Sequence, residues 1–285
     1  LRSLNGWKYG KRAFALVYFY EGILWLKHRD YDIIQCNYGP NGNDIAVLKD
    51  MGLVSGKMVT KFYGYDTSLY FKEFGLDVYQ FLFSKGDLFL VLSEYMKQQL
   101  IQAGCPPGKI KIHHIGVDCE RFHFKPRTLR PDGIVRFISV ARLTPKKGLM
   151  YSIRATAKVL KVHSHLTYRI IGDGPLRAFL EQLIVDLQVE KNVFLVGWKD
   201  YFESAQFLEQ SDIMLVPSVT NPDDGDQEGT PTVITEAFAQ GLPIIGTFHA
   251  GIPEMVQDGL SGFLVPETDV DAFARKMIEL IEHPE

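Results

Sequence analysis

Cysteine is scarce in this sequence. The three present, Cys36, Cys105 and Cys119, are odd in number and scattered. No Cys-x-x-Cys pair and no Cys/His spacing marks a disulfide framework or a metal site. A reducing, cytoplasmic compartment suits that usage. An excess of one charge is also missing: 31 Lys and Arg stand against 34 Asp and Glu, for a net charge of -3. No whole-chain basic field points to nucleic acid. Fixed-period repeats and low-complexity segments are absent. So is an apolar run long enough to span a bilayer. The strongest candidate, residues 13–26, is interrupted by Glu21 and Gly22 and falls short of the roughly 20 residues required. Basic residues flank it (Lys8, Lys11, Arg12, Lys27 and Arg29), which leaves an interfacial helix and a sheet-packed helix both open. No signal peptide is visible and the first residue is Leu1, so a fragment lacking both ends of a longer protein is expected.

What is present is apolar material for two cores: 285 residues, 46% hydrophobic and 23% charged. Strand and helix patterns alternate through the chain with short connections, the signature of parallel sheets covered by helices. In the first part, strands are expected at 32–36, 58–62, 88–92 and 109–113. Helices are expected at 11–29, 77–84 and 94–103, the last capped by Ser93. Gly39-Pro40-Asn41-Gly42-Asn43 reads as a turn before a helix to Met51, and Gly64 and Asp66 as a loop. Ile115-Gly116-Val117-Asp118 and the Pro-containing residues 125–132 break the pattern, which places a boundary between domains 1–123 and 124–285. The second part predicts strands at 135–140, 167–171, 193–196, 213–216, 243–246 and 263–265 with helices between them, a complete doubly wound α/β domain.

Ligands in such sheets bind at the carboxyl ends of the strands, so the residues that follow each strand matter. After the first strand of the second part come Arg142 and Lys147. Arg can fork two phosphate oxygens and Lys can act as a point charge, although an ordinary basic loop has the same letters. Next is Gly172-Asp173-Gly174-Pro175, whose glycines permit positive φ and close backbone approach to a ligand. Gly197-Trp198 follows the third strand, and Trp198 suits either a nucleobase or packing. A long loop, residues 217–229, follows the fourth. Its Asp224-Gly225-Asp226 admits a metal reading and a solvated-turn reading. The loop ends in Glu228-Gly229-Thr230-Pro231-Thr232. Thr230 is a good helix N-cap and Pro231 suits the first helical position. Glu236 then lies four residues after Thr232, on the same helix face. A helix N-terminus attracts phosphate, and two carboxylates beside it can hold sugar and ribose hydroxyls. His249, after the fifth strand, reads equally as a site residue or a satisfied loop histidine.

Together these residues resemble the retaining nucleotide-sugar glycosyltransferases of family four, among them exopolysaccharide enzymes of the colanic-acid type. The resemblance rests on Glu228 and Glu236 with seven residues between them, on Ser139-Val140-Ala141-Arg142-Leu143 with Lys147-Gly148, and on Gly172-Asp173-Gly174-Pro175. It implies the GT-B architecture, two Rossmann-like doubly wound domains facing a cleft, with the first domain incomplete here. It also implies catalytic roles for Glu228, Arg142 and Lys147. Donor contacts would come from Glu236, Gly172, Asp173, Gly174, Gly197, Trp198, Gly229, Thr230 and Thr232. The donor is a nucleoside-diphosphate sugar and the acceptor a glycan or lipid-linked molecule. No cofactor and no metal is expected, because Arg142 and Lys147 supply the positive charge. A cytoplasmic location is expected, with peripheral membrane contact through the first domain as the other option. Tyr63 departs from the family, which usually has His there. Tyr63 and Asp66 are the candidates for the acceptor side. A GT-B epimerase, a pyridoxal-phosphate phosphorylase and a non-catalytic nucleotide-sugar-binding module are the competing readings.

Overall fold

A computed structural model describes Tyr9 and residues 17–24, 28–127 and 131–284. The chain divides between His114 and Ile115 into two compact units. The first contains α1 (Val17–Leu24), β1 (Asp30–Asn37), α2 (Gly39–Asp50), β2 (Ser55–Lys61), α3 (Gly64–Thr67), α4 (Leu69–Phe74), α5 (Gln80–Lys85), β3 (Leu88–Val91), α6 (Glu94–Gln102) and β4 (Ile110–Ile112). The four strands form one parallel sheet in sequence order. The Ser93 hydroxyl caps α6 as expected, accepting the Met96 N–H at 3.2 Å. Of the helix expected at 11–29, residues 17–24 form α1 and residues 28–29 are not helical; residues 11–16 and 25–27 lie outside the described residues. Tyr18 is buried, whereas Tyr20 and Ile23 face solvent. Among the described residues no helix is long and apolar enough to cross a membrane.

The second unit is doubly wound. It contains β5 (Val135–Val140), α7 (Leu149–Val159), β6 (Leu166–Ile171), α8 (Arg177–Asp186), β7 (Val193–Gly197), α9 (Tyr201–Glu209), β8 (Ile213–Val216), α10 (Thr232–Ala239), β9 (Ile244–Thr247), β10 (Gly262–Val265) and α11 (Val270–Glu282). Its sheet is parallel throughout, in the order β10-β9-β8-β5-β6-β7. Successive side chains of a strand point to opposite faces, and here both faces are covered. Phe137, Ile170, Leu215 and Ile245 pack in one core with Ile153 of α7 and Phe273 of α11. Their neighbours Ile138, Ile171, Met214 and Ile244 pack in another with Leu208 of α9 and Ile234 of α10. Phe122 belongs to that second core, so residues 115–123, expected in the first domain, count with the second unit. The sheet reverses direction between β5 and β8, and a crevice at the carboxyl ends follows from that reversal.

Two expectations in the first unit give way for one reason. Gly39-Pro40-Asn41-Gly42-Asn43 is the start of α2 rather than a turn, and the loop around Gly64 and Asp66 is the short helix α3. Asp66 makes both possible. Its carboxylate is fully buried and accepts the Gly39 N–H at 2.9 Å and the Tyr63 N–H at 2.7 Å. One side chain thus satisfies free donors at two helix starts, a long-range cap that local spacing does not reveal. Asp66 is therefore a structural residue enclosed within the unit. Burial pushes its carboxyl from 3.8 up to about 7, against the pull of the two N–H bonds. The native state then holds the proton more tightly than the unfolded chain. The stability this group contributes is fully present below about 3.8 and is lost as pH rises through about 7. That loss is on the order of 4 kcal/mol. The Asp66 carboxyl carbon should titrate near neutrality in a 13C NMR series; a midpoint near 4 would refute the assignment.

Candidate functional site

Two loops build the crevice of the second unit. The first leaves β5 and turns through Pro145–Lys147 into Gly148, which has φ of +60°. A Cβ at Gly148 would lie 1.9 Å from the Pro217 carbonyl oxygen. No side chain fits there without moving the backbone of the second loop, which leaves β8. The two loops are also bonded: Val219 N–H donates to the Lys146 carbonyl at 2.8 Å. Gly172 is similar, since a Cβ there would lie 1.9 Å from the Ala141 carbonyl oxygen. Its glycine is explained by the approach of the chain's own backbone.

This clamp sets the charges. Lys147 Nζ meets Glu228 at 2.8 Å, with side-chain exposures of 18% and 9%. Lys146 Nζ binds Asp226 at 2.9 Å and the Gln227 carbonyl at 3.1 Å, and lies 3.8 Å from the other Glu228 oxygen. That oxygen, Oε1, has no hydrogen-bond partner among the described residues, and neither has the buried Thr230 hydroxyl. A buried acceptor without a donor is costly, and the Lys146 ammonium at 3.8 Å is the charge that faces it. Arg142 is exposed and extends into a hollow of about 420 Å3 shared with Lys147, Gly172, Asp173, Trp198, Thr232 and Glu236. Burial holds the half-buried Glu236 carboxyl above its usual range.

Arg142, Lys147, Glu236 and, through Lys147, Glu228 are thus gathered at one place. Trp198 is 71% exposed, so it is a wall of the hollow and no part of a core. Gly174, Gly229 and Thr230, in loops, and Gly197, the last residue of β7, are not among the residues that line the hollow. Thr230 is not the cap: Pro231 takes that position in an extended conformation and α10 starts at Thr232. Of the two loop carboxylates, Asp226 neutralises Lys146, and Asp224 accepts from Asn221 Nδ2 and the Asp226 N–H. His249 is a satisfied, fully buried histidine. Tyr63 belongs to the first unit, where its hydroxyl donates to Asn37 at 3.3 Å. Sequence reasoning missed Lys146, although it stands beside Lys147; only the loop's return path separates their partners. It also missed Lys199 and Tyr201, which line the hollow and carry no motif.

Known proteins are similar to this chain in sequence and fold. Residues 120–285 match the family of glycosyl transferases group 1, and residues 1–121 match glycosyltransferase family 4. The chain is 38% identical to the amylovoran biosynthesis glycosyltransferase AmsK of Erwinia amylovora, over 98% of this chain and 69% of that one. It is 40% identical to WcaL of Salmonella typhimurium, named for colanic acid biosynthesis, over 88% of this chain and 62% of WcaL. The chain therefore spans about three fifths of that relative's length. Among solved structures, Anabaena HepE in complex with UDP superposes with a TM-score of 0.76 at 21% identity, covering 96% of this chain and 73% of HepE. The apo lipopolysaccharide outer core galactosyltransferase WaaB superposes with a TM-score of 0.73 at 19% identity, covering 95% and 72%.

The Lys147–Glu228 pair yields a test of its own. Removing one partner of a buried pair leaves the other uncompensated. Lys147→Met should lower stability in urea unfolding by about 2 kcal/mol, the nearby Lys146 limiting the loss. Adding Glu228→Gln should restore most of it. Equal losses in the single and double variants would show that the pair is not coupled.

Proposed function

We propose a transfer reaction on one premise: the chain belongs to the glycosyltransferases, group 1 over residues 120–285 and family 4 over residues 1–121. The protein moves a sugar from a nucleoside-diphosphate sugar to a glycan or lipid-linked acceptor, in the biosynthesis of an exopolysaccharide, with retention at the anomeric carbon. One observation carries this reading: Arg142 and Lys147 share a hollow with Glu236 at the switch point of a parallel sheet, and Glu228 is held against Lys147. HepE, the UDP-bound neighbour in fold, and the exopolysaccharide names of AmsK and WcaL support it.

The residues divide the work by their chemistry. Bond breaking between the anomeric carbon and the diphosphate leaves negative charge on the departing oxygens. Arg142 and Lys147, preorganised around that position, lower the barrier by stabilising it. The Glu228 Oε1 atom accepts a hydroxyl of the donor sugar, and Glu236 accepts the ribose hydroxyls. Trp198 offers a face to the base. The acceptor oxygen forms the new bond on the face the diphosphate leaves, and its proton passes to the departing phosphate oxygen. Atoms and charge balance without a second base.

Arg142→Ala should lower turnover by about 100- to 1000-fold and weaken UDP binding. Glu228→Ala should abolish transfer while leaving UDP affinity nearly intact. Both are read from product formation and from UDP-dependent thermal stabilisation, which tracks binding to the native state. Wild-type turnover in Glu228→Ala would remove Glu228 from the reaction. Stabilisation by UDP-glucose without transfer to any acceptor would favour a non-catalytic binding module.

A further inference from the structure

We infer that His249 is a positioning residue for Glu228, set in one tautomer by Glu267; its bearing on transfer rests on the reading given above. The His249 ring is 0% exposed, so protein groups alone decide its protonation pattern. Its Nε2 accepts the Glu228 N–H at 3.0 Å and therefore carries no proton. The proton sits on Nδ1, which donates to Glu267 Oε1 at 2.6 Å. The hydrogen bond at one ring nitrogen fixes the role of the other. Glu267 Oε2 accepts the Thr220 N–H at 2.8 Å.

The consequence is a strap across three adjacent strands. Glu267 follows β10, His249 follows β9, and Thr220 and Glu228 stand near the two ends of the long loop after β8. One carboxylate and one imidazole fix both ends of that loop. Further bonds run the same way: Thr247 Oγ1 donates to the Ser218 carbonyl at 2.5 Å, and Gly251 N–H to the Gly229 carbonyl at 3.3 Å. The Glu228 backbone is held from the β9 side and its carboxylate from the β5 side by Lys147. A merely space-filling histidine needs neither the acceptor at Nε2 nor the donor at Nδ1.

The test compares His249→Leu, which fills the space without an acceptor, with His249→Gln, whose amide oxygen can reach the Nε2 position. In 15N NMR of the wild-type chain, His249 should show the Nδ1–H tautomer and a coupling between the Glu228 amide nitrogen and Nε2. The Glu228 carboxyl carbon should shift in His249→Leu and return in His249→Gln. With UDP-glucose as probe, UDP release by His249→Leu should fall about 10- to 100-fold, as for groups that orient a primary ligand. UDP affinity should stay within about twofold, and His249→Gln should recover most of the rate. An Nε2–H tautomer, or an unshifted Glu228 carboxyl carbon in His249→Leu, overturns the inference whether or not the probe turns over. A wild-type chain that shows the tautomer and the coupling but neither binds nor cleaves UDP-glucose supports the positioning role and counts against the transfer reading with that donor.

Discussion

A carboxylate taken out of water must be neutralised where it stands. Glu228 is nearly enclosed, and its charge is met by Lys147 at 2.8 Å, with Lys146 behind it. Much else in the second unit serves that meeting. The glycine at position 148 lets the β5 loop touch the β8 loop, which brings the lysines to the glutamate. The parallel order with its reversal between β5 and β8 opens the crevice in which they meet. Packing on both faces of the sheet holds the strand ends still enough for the geometry to persist.

The three cations are not equivalent. Lys146 is committed to the loop, through Asp226 and the Gln227 carbonyl. Lys147 is shared between Glu228 and the hollow. Arg142 lines the hollow from the opposite commitment, exposed and with its guanidinium turned to no described carboxylate. Such a fork of N–H donors can bind two oxygens of one anion. Nearby, Glu228 Oε1 is a buried acceptor without a donor among the described residues, and burial holds the Glu236 carboxyl above its usual range. The division separates the cation that holds the loop from those that line the hollow.

Much of this was legible in the letters. The ten strands were expected within one to three residues at each end, because continuous apolar runs between turn signals have few other readings. Arg142, Lys147, Glu228 and Glu236 could be grouped because each follows a strand of one parallel sheet. What escaped was set at long range. Asp66 caps α2 from 27 residues away, so the Gly39-Pro40 start looked like a turn. His249 reaches Glu228 across 21 residues, so its role had no local spacing to announce it. Thr230 had the chemistry of a cap, but the extended Pro231 took the position and left the hydroxyl buried.

In the proposed reaction Arg142 and Lys147 meet a diphosphate together. The most direct measurement is a UDP titration of the chain labelled with 15N at arginine and lysine side chains. The Arg142 Nε and Lys147 Nζ resonances should move together and saturate at one UDP concentration. Saturable UDP binding that leaves both resonances unmoved would contradict it.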